Sequence, residues 1–297
     1  MIIGIIVSYQ PEILEFIFNC KKILTEIDKL IIVENGSDKN IQDQILKNLF
    51  LDNIYILIQK DNKGLAKAQN IGIKKGMELG GDFFLFLDDD SVISKGSAVE
   101  LQNEFSRNPN LGIAACHILH ENSHKEQKYW TLSKGIYRRV RFTSSIHKIE
   151  NVNTVISSGS VLSREVIEKC GLMREDFFID YIDIEYSLRV RANGYTITVI
   201  KKAELIHKLG NIKSIQFANW ILHPTNHSPE RRFYMIRNRI WTWKLYLLKF
   251  PGWFLVDLGN FFVDNLRVFL FEKNRMKNFK FFLLGFIAGL FKSSSKN

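Results

Sequence analysis

The chain has 297 residues, of which 46% are hydrophobic and 24% charged, and its formal net charge is +10. This composition is typical of a globular protein and excludes wholesale disorder and fibrous folds such as collagen or long coiled coils. The three cysteines lie far apart in the sequence, so we expect neither a disulfide framework nor a paired-cysteine metal site.

The elements predicted for the first 120 residues alternate between apolar runs and segments of helical periodicity. Strands are predicted at Ile2–Ser8, Leu30–Val33, Ile54–Ile58 and Phe83–Leu87, and helices at Glu12–Ile27, Ile41–Phe50 and Leu65–Leu79. Continuous apolar strands separated by helices indicate a mostly parallel sheet with helices on both faces. The predicted fold class is therefore α/β, with a Rossmann-like sheet.

The second part of the chain is less regular. Residues 121–151 are polar and basic, which indicates an insertion or a flexible loop. A strand is predicted at Val152–Ser157, helices from Ser163 and over Asp183–Ala192, and a short strand at Tyr195–Ile200. The apolar opening of the chain has no basic segment or cleavage site, so we expect no secretory signal and a cytoplasmic protein.

The whole basic excess lies at the end of the chain. Residues 231–297 contain 13 Lys and Arg against 3 Asp and Glu, and the preceding residues contain 28 of each. The same segment holds 12 of the 23 Phe, and its apolar runs are too short or too interrupted to cross a bilayer. We expect amphipathic helices that contact an anionic membrane surface, with core packing or nucleic-acid binding as alternatives.

Polar residues follow each of the four predicted parallel strands. They are Ser8-Tyr9-Gln10, Glu34-Asn35, Asp61-Asn62 and Asp88-Asp89-Asp90. Ligands of such sheets bind outside the carboxyl ends of the strands. These residues are therefore expected to form one site at one edge of the sheet.

The sharpest local signal is the run of three acids at 88–90. In an extended segment Asp88 and Asp90 would point the same way, toward a shared ligand, while Asp89 points elsewhere. Clustered carboxylates need neutralisation, and a Mg²⁺ or Mn²⁺ ion bridging a diphosphate would supply it. A solvated turn or a helix cap is the structural alternative.

Four weaker motifs have functional and structural interpretations. The segment from Asn62 to Gly72 opens a helix and could approach a phosphate. The acids in 180–185 could include a general base, or could cap a helix and pair with Arg189. His207 is a metal ligand or an ordinary structural histidine. The basic run at 231–239 could hold phosphates or form a charged helix face.

In this order, the motifs resemble the family 2 glycosyltransferases with a GT-A fold, and among them the bacterial rhamnosyltransferase-like branch. The matching stretches are 7–11, 32–37, 62–72, 87–91, 158–160, 171–185 and 227–234. The blocks at 177–191 and 227–238 are the most specific to that branch. Glu34 stands where the family often has Asp, and Ile182 replaces the first acid of a common Glu-Asp pair.

The resemblance implies a role for each candidate residue. Asp183 would be the catalytic base, and Asp90 and His207 would hold a Mg²⁺ or Mn²⁺ ion. Residues from the four polar clusters and from the segment 62–72 would bind the nucleotide sugar: Ser8, Tyr9, Glu34, Asn35, Asn62, Lys67, Asn70, Asp88 and Asp89. Candidates for acceptor or phosphate contacts are Asp180, Arg231, Arg232 and Arg237.

The resemblance also implies the function and the domain organisation. A GT-A catalytic domain would span 1–228, with a nucleotide half at about 1–120 and an acceptor half at about 150–228, followed by a membrane-associating helical segment at 229–297. We expect an inverting transfer of a sugar, L-rhamnose from dTDP-L-rhamnose, onto a lipid-linked or surface polysaccharide acceptor at the inner face of the cell membrane. The alternatives are a UDP-sugar donor, such as UDP-galactofuranose, and a non-catalytic membrane or nucleic-acid binding module. A homo-oligomer is compatible with the sequence.

Overall fold

The computed structural model describes residues 1–120, 127–133, 136–207, 215–217, 220–222, 227–272 and 274–291. At positions 120, 133, 207, 215–217 and 220–222 the description covers the backbone alone. The chain divides into two compact units. Unit 1 comprises Met1–Glu175 and Asp183–Lys208, and unit 2 comprises Asp176–Ile182 and Leu209–Asn297.

The first half of unit 1 is a regular alternation of strands and helices, as predicted. Its elements are β1 (Ile2–Ser8), α1 (Ile13–Ile23), β2 (Lys29–Glu34), α2 (Lys39–Asn48), β3 (Ile54–Ile58), α3 (Leu65–Glu78) and β4 (Phe83–Asp88). The strands pair in parallel in the order β3-β2-β1-β4. β1, β2 and β4 are buried along most of their length because helices cover both faces of the sheet.

The second half of unit 1 adds shorter and partly antiparallel strands to the same sheet. Its elements are β5 (Ser91–Ile93), α4 (Ser97–Arg107), β6 (Leu111–His120), β7 (Lys128–Ser133), β8 (Ile136–Arg141), β9 (Lys148–Ile149), β10 (Ser160–Ser163), α5 (Arg164–Cys170), α6 (Ile182–Ala192) and β11 (Thr196–His207). The sheet continues from β4 as β10-β6-β11-β5, with β9 paired to β11. The sheet is therefore mixed but mostly parallel, which confirms the predicted class.

The segment between β6 and β10 differs from the prediction. The strands β7 and β8 form an antiparallel hairpin where an insertion or a flexible loop was expected. The strand predicted at Val152–Ser157 does not form, and Val152 makes a single bridge to Thr131. The reason is that backbone groups in this stretch bond separate partners, for example the carbonyl of Val152 with the guanidinium of Arg191 and the amide of Val155 with the hydroxyl of Ser187.

Unit 2 contains the strand pair β12 (Ile215–Phe217) and β13 (Trp220–Leu222), and the helices α7 (Pro229–Tyr246), α8 (Pro251–Phe271) and α9 (Arg275–Phe291). Ser228 caps α7 by accepting a hydrogen bond from the Arg231 amide, and Pro229 follows at the first turn. Helix α9 packs closely on α7, since a Cβ at Gly285 would lie 2.7 Å from the carbonyl oxygen of Phe233. Across the part of the chain that the structure describes, no helix is long and apolar enough to span a bilayer.

Unit 2 also includes the segment 176–182, which the predicted boundary near residue 228 assigned to the catalytic domain. Side chains of α7 bind its backbone: Asn238 Nδ2 lies 2.8 Å from the carbonyl oxygens of Phe177 and Ile179. Phe178, Asp180 and Tyr181 all have φ near +60°, a backbone conformation that side chains rarely adopt. The contacts with α7 hold this strained segment in place.

Candidate active site

The carboxyl ends of β1, β2 and β4 lie side by side, as the sequence predicted. Ser8 is in register with Glu34, and Val7 with Asp88. Ser8 is fully buried, and its hydroxyl oxygen has no hydrogen-bond partner among the described residues. A buried hydroxyl in that state is costly unless a ligand satisfies it, so Ser8 fits a ligand-binding position. Tyr9, the next residue, is half exposed.

Glu34 is fully buried, and both of its carboxylate oxygens serve the turn that follows β2. Oε1 accepts a hydrogen bond from the amide of Ser37 at 2.7 Å, and Oε2 from the amide of Gly36 at 3.3 Å. Gly36 has φ +85°, and a Cβ there would lie 2.5 Å from the backbone carbon of Asp61. Glu34 therefore shapes a turn that only glycine can complete at this close approach.

Asn35 and Asn62 join the loops after β2 and β3. The side-chain Nδ2 of Asn35 donates to Asn62 Oδ1 at 3.1 Å, and Asn35 Oδ1 accepts from the backbone amide of Lys63 at 3.0 Å. Asn62 Oδ1 also accepts from the amide of Gly64 at the start of α3. The two asparagines thus fix the two loops to one another at the candidate nucleotide edge.

The first turns of α3 place two of the predicted nucleotide-binding residues in different surroundings. Lys67 forms a half-exposed ion pair with Glu175 at 3.7 Å. Asn70 is buried, and its side chain bonds both backbone groups of Met173. Those contacts occupy the amide of Asn70, so it positions the 173–175 segment rather than presenting a free group to a nucleotide.

Gln69 is a candidate that the sequence interpretation missed. It is buried, its Nε2 donates to the hydroxyl of Ser157 at 3.3 Å, and its Oε1 has no partner among the described residues. The available signal was its position on the apolar stripe of α3, between Ala66 and Ile73 at helical spacing. A polar residue on a buried helix face needs a hydrogen-bond partner, and the sequence alone does not show which residue or ligand that partner is.

The three acids at the end of β4 do not follow the predicted alternation of side chains along a strand. β4 ends at Asp88 and the chain turns at 89–90, so the rule for extended segments does not apply and Asp88 and Asp90 are not alternate residues of one strand. Asp90 is exposed. Asp89 is more enclosed and accepts a hydrogen bond from the backbone amide of Tyr9; burial, and then the charge of Asp90, raises the pKa of Asp89 to about 6.

The metal-binding prediction concerns Asp90 and His207. The backbone register pairs His207 with Ser91, the residue after Asp90, but the side chain of His207 lies outside the described residues. No three His, Cys, Asp or Glu side chains cluster as a metal site within the described ranges. The oxygen donors of Asp88 and Asp90 nonetheless fit Mg²⁺ or Mn²⁺, because such ions commonly take one or two protein carboxylates and complete their shell with phosphate and water.

Asp183 lies in the first turn of α6, where its Oδ1 accepts a hydrogen bond from the amide of Ile184 at 2.8 Å. The rest of α6 is fixed within unit 1. Ser187 bonds the backbone of Val155, the Tyr186 hydroxyl donates to Gly171, and the buried Glu185 pairs with Arg189. The carboxylate of Asp183 is therefore presented by a firmly packed helix.

A pocket of about 250 Å³, which we call the Asp183 pocket, lies beside this carboxylate. Its walls include Asp183, Ser158, Thr154, Ile118, Lys128 and Trp130. Ser158 links the pocket to the acids at the end of β4, since the Ser158 hydroxyl oxygen accepts a hydrogen bond from the backbone amide of Asp88 at 3.0 Å. One loop residue thus contacts the end of β4 and the pocket that contains Asp183.

The predicted acceptor or phosphate contacts of unit 2 have internal partners instead. Arg231 forms a two-pronged ion pair with Asp180, with both distances 2.9 Å. Arg232 pairs with the buried Glu272, and Arg237 donates to the carbonyl oxygen of Asp176. These contacts stabilise unit 2 and leave no observation in favour of phosphate binding by the three arginines.

Comparison with known proteins adds to this geometry. Residues 4–171 match the family model of Glycosyl transferase family 2. The chain is 29% identical over 242 residues to the dTDP-rhamnosyl transferase RfbF of Shigella flexneri, across 80% of this chain and 78% of the relative. It is 24% identical over 208 residues to the low-salt glycan biosynthesis hexosyltransferase Agl10 of Haloferax volcanii, across 68% of this chain and 66% of the relative.

Among solved structures, GalNAc-T7 with UDP, GalNAc and Mn²⁺ has a TM-score of 0.63 and 12% sequence identity, across 86% of this chain and 49% of the GalNAc-T7 chain. The chain thus spans about half the length of that protein. The similarity supports the GT-A fold expected from the motifs, and at this identity it concerns the fold alone. Because the family match covers more than half of the sequence, the protein belongs to glycosyl transferase family 2 and is a glycosyltransferase.

Proposed function

We propose that this protein transfers L-rhamnose from dTDP-L-rhamnose to a hydroxyl of a lipid-linked or surface polysaccharide acceptor. The observation that supports a transferase site most directly is the connection through Ser158, which bonds the amide of Asp88 and lines the Asp183 pocket. The similarity to a dTDP-rhamnosyl transferase supports the choice of donor. Ser158 thus connects Asp88 with the pocket of Asp183, although these two acids are distant in sequence.

On this proposal, the nucleoside diphosphate lies along the carboxyl ends of β1, β2 and β4. The buried hydroxyl of Ser8, which has no partner within the described ranges, would donate a hydrogen bond to the ligand, and Tyr9 would border the base or ribose. The network of Asn35 and Asn62 would keep the loops around the nucleotide in place. Lys67, whose ion pair with the half-exposed Glu175 has a distance of 3.7 Å, would turn toward the diphosphate.

The reaction would be a single displacement with inversion at the anomeric carbon. Asp183 accepts the proton of the attacking acceptor hydroxyl, the acceptor oxygen forms a bond to the anomeric carbon, and the bond from that carbon to the diphosphate breaks. A positioned base of this kind contributes roughly 10²–10⁴ in rate. The packed helix α6 keeps the carboxylate oriented for this transfer.

Asp90 and His207, the last residue of β11, would hold a Mg²⁺ or Mn²⁺ ion, with Asp88 two residues before Asp90. When bound, the ion would neutralise the charge that develops on the leaving diphosphate. The oxygen donors at the end of β4 support this assignment. A divalent ion, Mn²⁺, is also named with UDP in the structure of GalNAc-T7, a protein of similar fold.

The donor assignment is tested with a panel of nucleotide sugars that includes dTDP-L-rhamnose and UDP-sugars such as UDP-galactofuranose. We expect dTDP-L-rhamnose to be consumed with the highest kcat/KM in Mg²⁺ or Mn²⁺, activity to be lost in EDTA, and activity to return when the ion is added back. We also expect dTDP to raise the melting temperature only when the ion is present, because a ligand stabilises the state that binds it.

Each part of the proposal has its own contrary result. A UDP-sugar with a higher kcat/KM would replace the rhamnose donor, and activity that persists in EDTA would remove the metal ion. Absence of turnover with every donor, together with no shift of the melting temperature by any nucleoside diphosphate, would overturn the proposed site.

We further propose that unit 2 attaches the protein to the inner face of the cell membrane as a peripheral protein. Helix α8 has exposed apolar side chains along one face, at Leu255, Phe262, Leu266 and Leu270. Their spacing is helical, so they form a continuous stripe. Exposed cations lie on the same helical unit, among them Arg267, Arg275, Lys277 and Lys280. Apolar residues beside cations match the chemistry of an anionic lipid surface.

Replacing Phe262 and Leu266 by serine should weaken binding to vesicles of phosphatidylglycerol and phosphatidylethanolamine by at least about tenfold, since each buried side chain of this size stabilises binding by about 1.5–3 kcal/mol. Co-sedimentation measures the effect. The matched control is Leu14→Ser with Phe18→Ser, which removes two exposed apolar side chains from α1 of unit 1. Equal binding by both double variants would contradict attachment through α8.

A further inference from the structure

The hairpin β7–β8 forms part of the Asp183 pocket, and it is firmly attached to the sheet. The hydroxyl of Tyr129 lies 3.2 Å from the amide nitrogen of Ile118 and 3.1 Å from Nδ1 of His117. The Tyr129 ring is buried and packs edge-on against Phe142. The hairpin is therefore a fixed wall and can define the shape of the pocket.

Trp130, the residue after Tyr129, lines the Asp183 pocket and is only partly buried. Its carbonyl oxygen accepts a hydrogen bond from the amide of Asn153 at 2.9 Å, which ties it to the segment that continues into Thr154 on the pocket wall. On the neighbouring strand, the guanidinium of Arg139 lies 5.5 Å from the centre of the Trp130 ring. The position of the ring is thus restricted by contacts on the hairpin itself.

The order of strands separates this pocket from the candidate nucleotide edge. The candidate nucleotide site lies at the carboxyl ends of β1, β2 and β4, with the loop after β3 beside it, whereas Ile118 in the pocket wall belongs to β6. Strand β10 lies between β4 and β6 in the sheet. A donor nucleotide on β1, β2 and β4 would therefore leave the Asp183 pocket to the other substrate.

The chemistry and the size of the pocket both fit one sugar ring. The aromatic residue Trp130 and the apolar Ile118 line the pocket together with the polar residues Lys128, Thr154 and Ser158. A sugar ring has the same division, with C–H groups on its faces and hydroxyls at its edge. The volume of about 250 Å³ is below the roughly 300–1,000 Å³ of pockets that enclose drug-sized ligands, so a longer glycan would extend into solvent.

We propose that the Asp183 pocket binds the terminal sugar ring of the acceptor, with Trp130 as the surface on which the ring stacks. This inference rests on the proposed function, because it assumes that Asp183 accepts the proton of the attacking hydroxyl. Trp130 is then a residue that determines acceptor specificity, and the β7–β8 hairpin is the element that recognises the acceptor.

The test measures transfer to methyl glycosides of rhamnose, glucose, galactose and N-acetylglucosamine, using the donor on which the wild type is active. We expect at least one glycoside to accelerate donor consumption by the wild type. In Trp130→Ala the KM for that glycoside should rise about tenfold relative to the KM for the nucleotide sugar, and Trp130→Phe should restore most of the loss because it keeps an aromatic face.

Arg138→Ala is the matched control, because Arg138 is an exposed residue of the same hairpin and does not line the pocket. It should leave both KM values within about twofold of wild type. The proposal is overturned if no glycoside accelerates donor consumption, if Trp130→Ala leaves the glycoside KM unchanged, or if it raises both KM values equally. In these cases consumption of dTDP-L-rhamnose with Mg²⁺ or Mn²⁺, and its loss in EDTA, would still support the proposed function, so the two failures are distinguishable.

Discussion

Replacing Asp183 by asparagine should lower the rate of sugar transfer by about 10²–10⁴-fold, the range that a positioned general base contributes. The amide keeps nearly the same shape and can still accept the hydrogen bond from the amide of Ile184, so α6 should remain in place. What it loses is the capacity to take the proton of the acceptor hydroxyl. Initial rates at saturating acceptor and donor measure the loss, and the shift of melting temperature by dTDP measures whether the nucleotide still binds.

Asp82→Asn is a suitable control for this experiment. Asp82 directly precedes the first residue of β4, at the end of the strand opposite to Asp88, and it pairs with the amino group of Met1 while exposed to solvent. Removing its charge should change the rate of transfer by less than about twofold, since exposed ion pairs contribute little. Full activity in Asp183→Asn would remove Asp183 from the mechanism, and an equal loss in both variants would indicate a general effect of charge.

The first half of unit 1, from β1 to β4, could be predicted because its strands and helices follow from local sequence patterns. β1 and β3 form at the predicted residues, and β2, β4 and the three helices differ by a few residues at their ends. Apolar runs and helical periodicity arise from neighbours in sequence, and the parallel pairing follows from them. For the same reason the alignment of Ser8, Glu34 and Asp88 at one edge was predictable.

What was not predictable depends on contacts between distant residues. The turn at 89–90 ends the extended segment after Asp88, and the bonds of Arg191 and Ser187 replace the ladder expected at Val152–Ser157. Likewise, nothing in the polar and basic composition of 121–151 indicates that Tyr129 anchors a hairpin to His117 and Ile118. Contacts between residues that are far apart in the chain form only when the protein folds. They therefore cannot be predicted from the local pattern of a single sequence.

The functional residues show the same distinction. Asp183 and the acids at 88–90 stand out by residue type, whereas Gln69 and Trp130 become candidates only when their surroundings are known. Conversely, Arg231 and Arg237 look like phosphate-binding residues in the sequence, but the structure pairs them with Asp180 and with a backbone carbonyl. Charge density in a sequence therefore overstates the number of free charges on the folded protein.

The second large effect is expected at Asp257, whose carboxylate joins α7 and α8 inside unit 2. Arg239 donates to both of its oxygens, at 2.9 and 3.0 Å, and Trp243 Nε1 donates to it at 2.7 Å. The Tyr181 hydroxyl donates as well, at 3.0 Å. Burial, and then the charge of Asp257, raises the pKa of Tyr181, so this hydroxyl stays protonated and remains a donor.

Asp257→Ala should lower the free energy of unfolding of unit 2 by about 3–5 kcal/mol, because it leaves the buried guanidinium of Arg239 without its main partner. Asp264→Ala is the matched control. Asp264 also lies near Arg239, at 3.3 Å, but it is half exposed, so its loss should cost less than about 1 kcal/mol. Denaturant unfolding followed by tryptophan fluorescence measures both, since four of the five tryptophans lie in 209–297.

A third variant keeps the test decisive if Asp257→Ala does not fold. Replacing Asp257 by leucine and Arg239 by methionine together removes the buried pair and fills its space with apolar atoms, which is often neutral or stabilising. We expect this double variant to recover part of the stability lost in Asp257→Ala, because no guanidinium is left unpaired, although Trp243 and Tyr181 still lack their acceptor. If Asp257→Ala and Asp264→Ala prove equally mild, the buried pair does not determine the stability of unit 2, and the packing of α9 on α7 would be its main support.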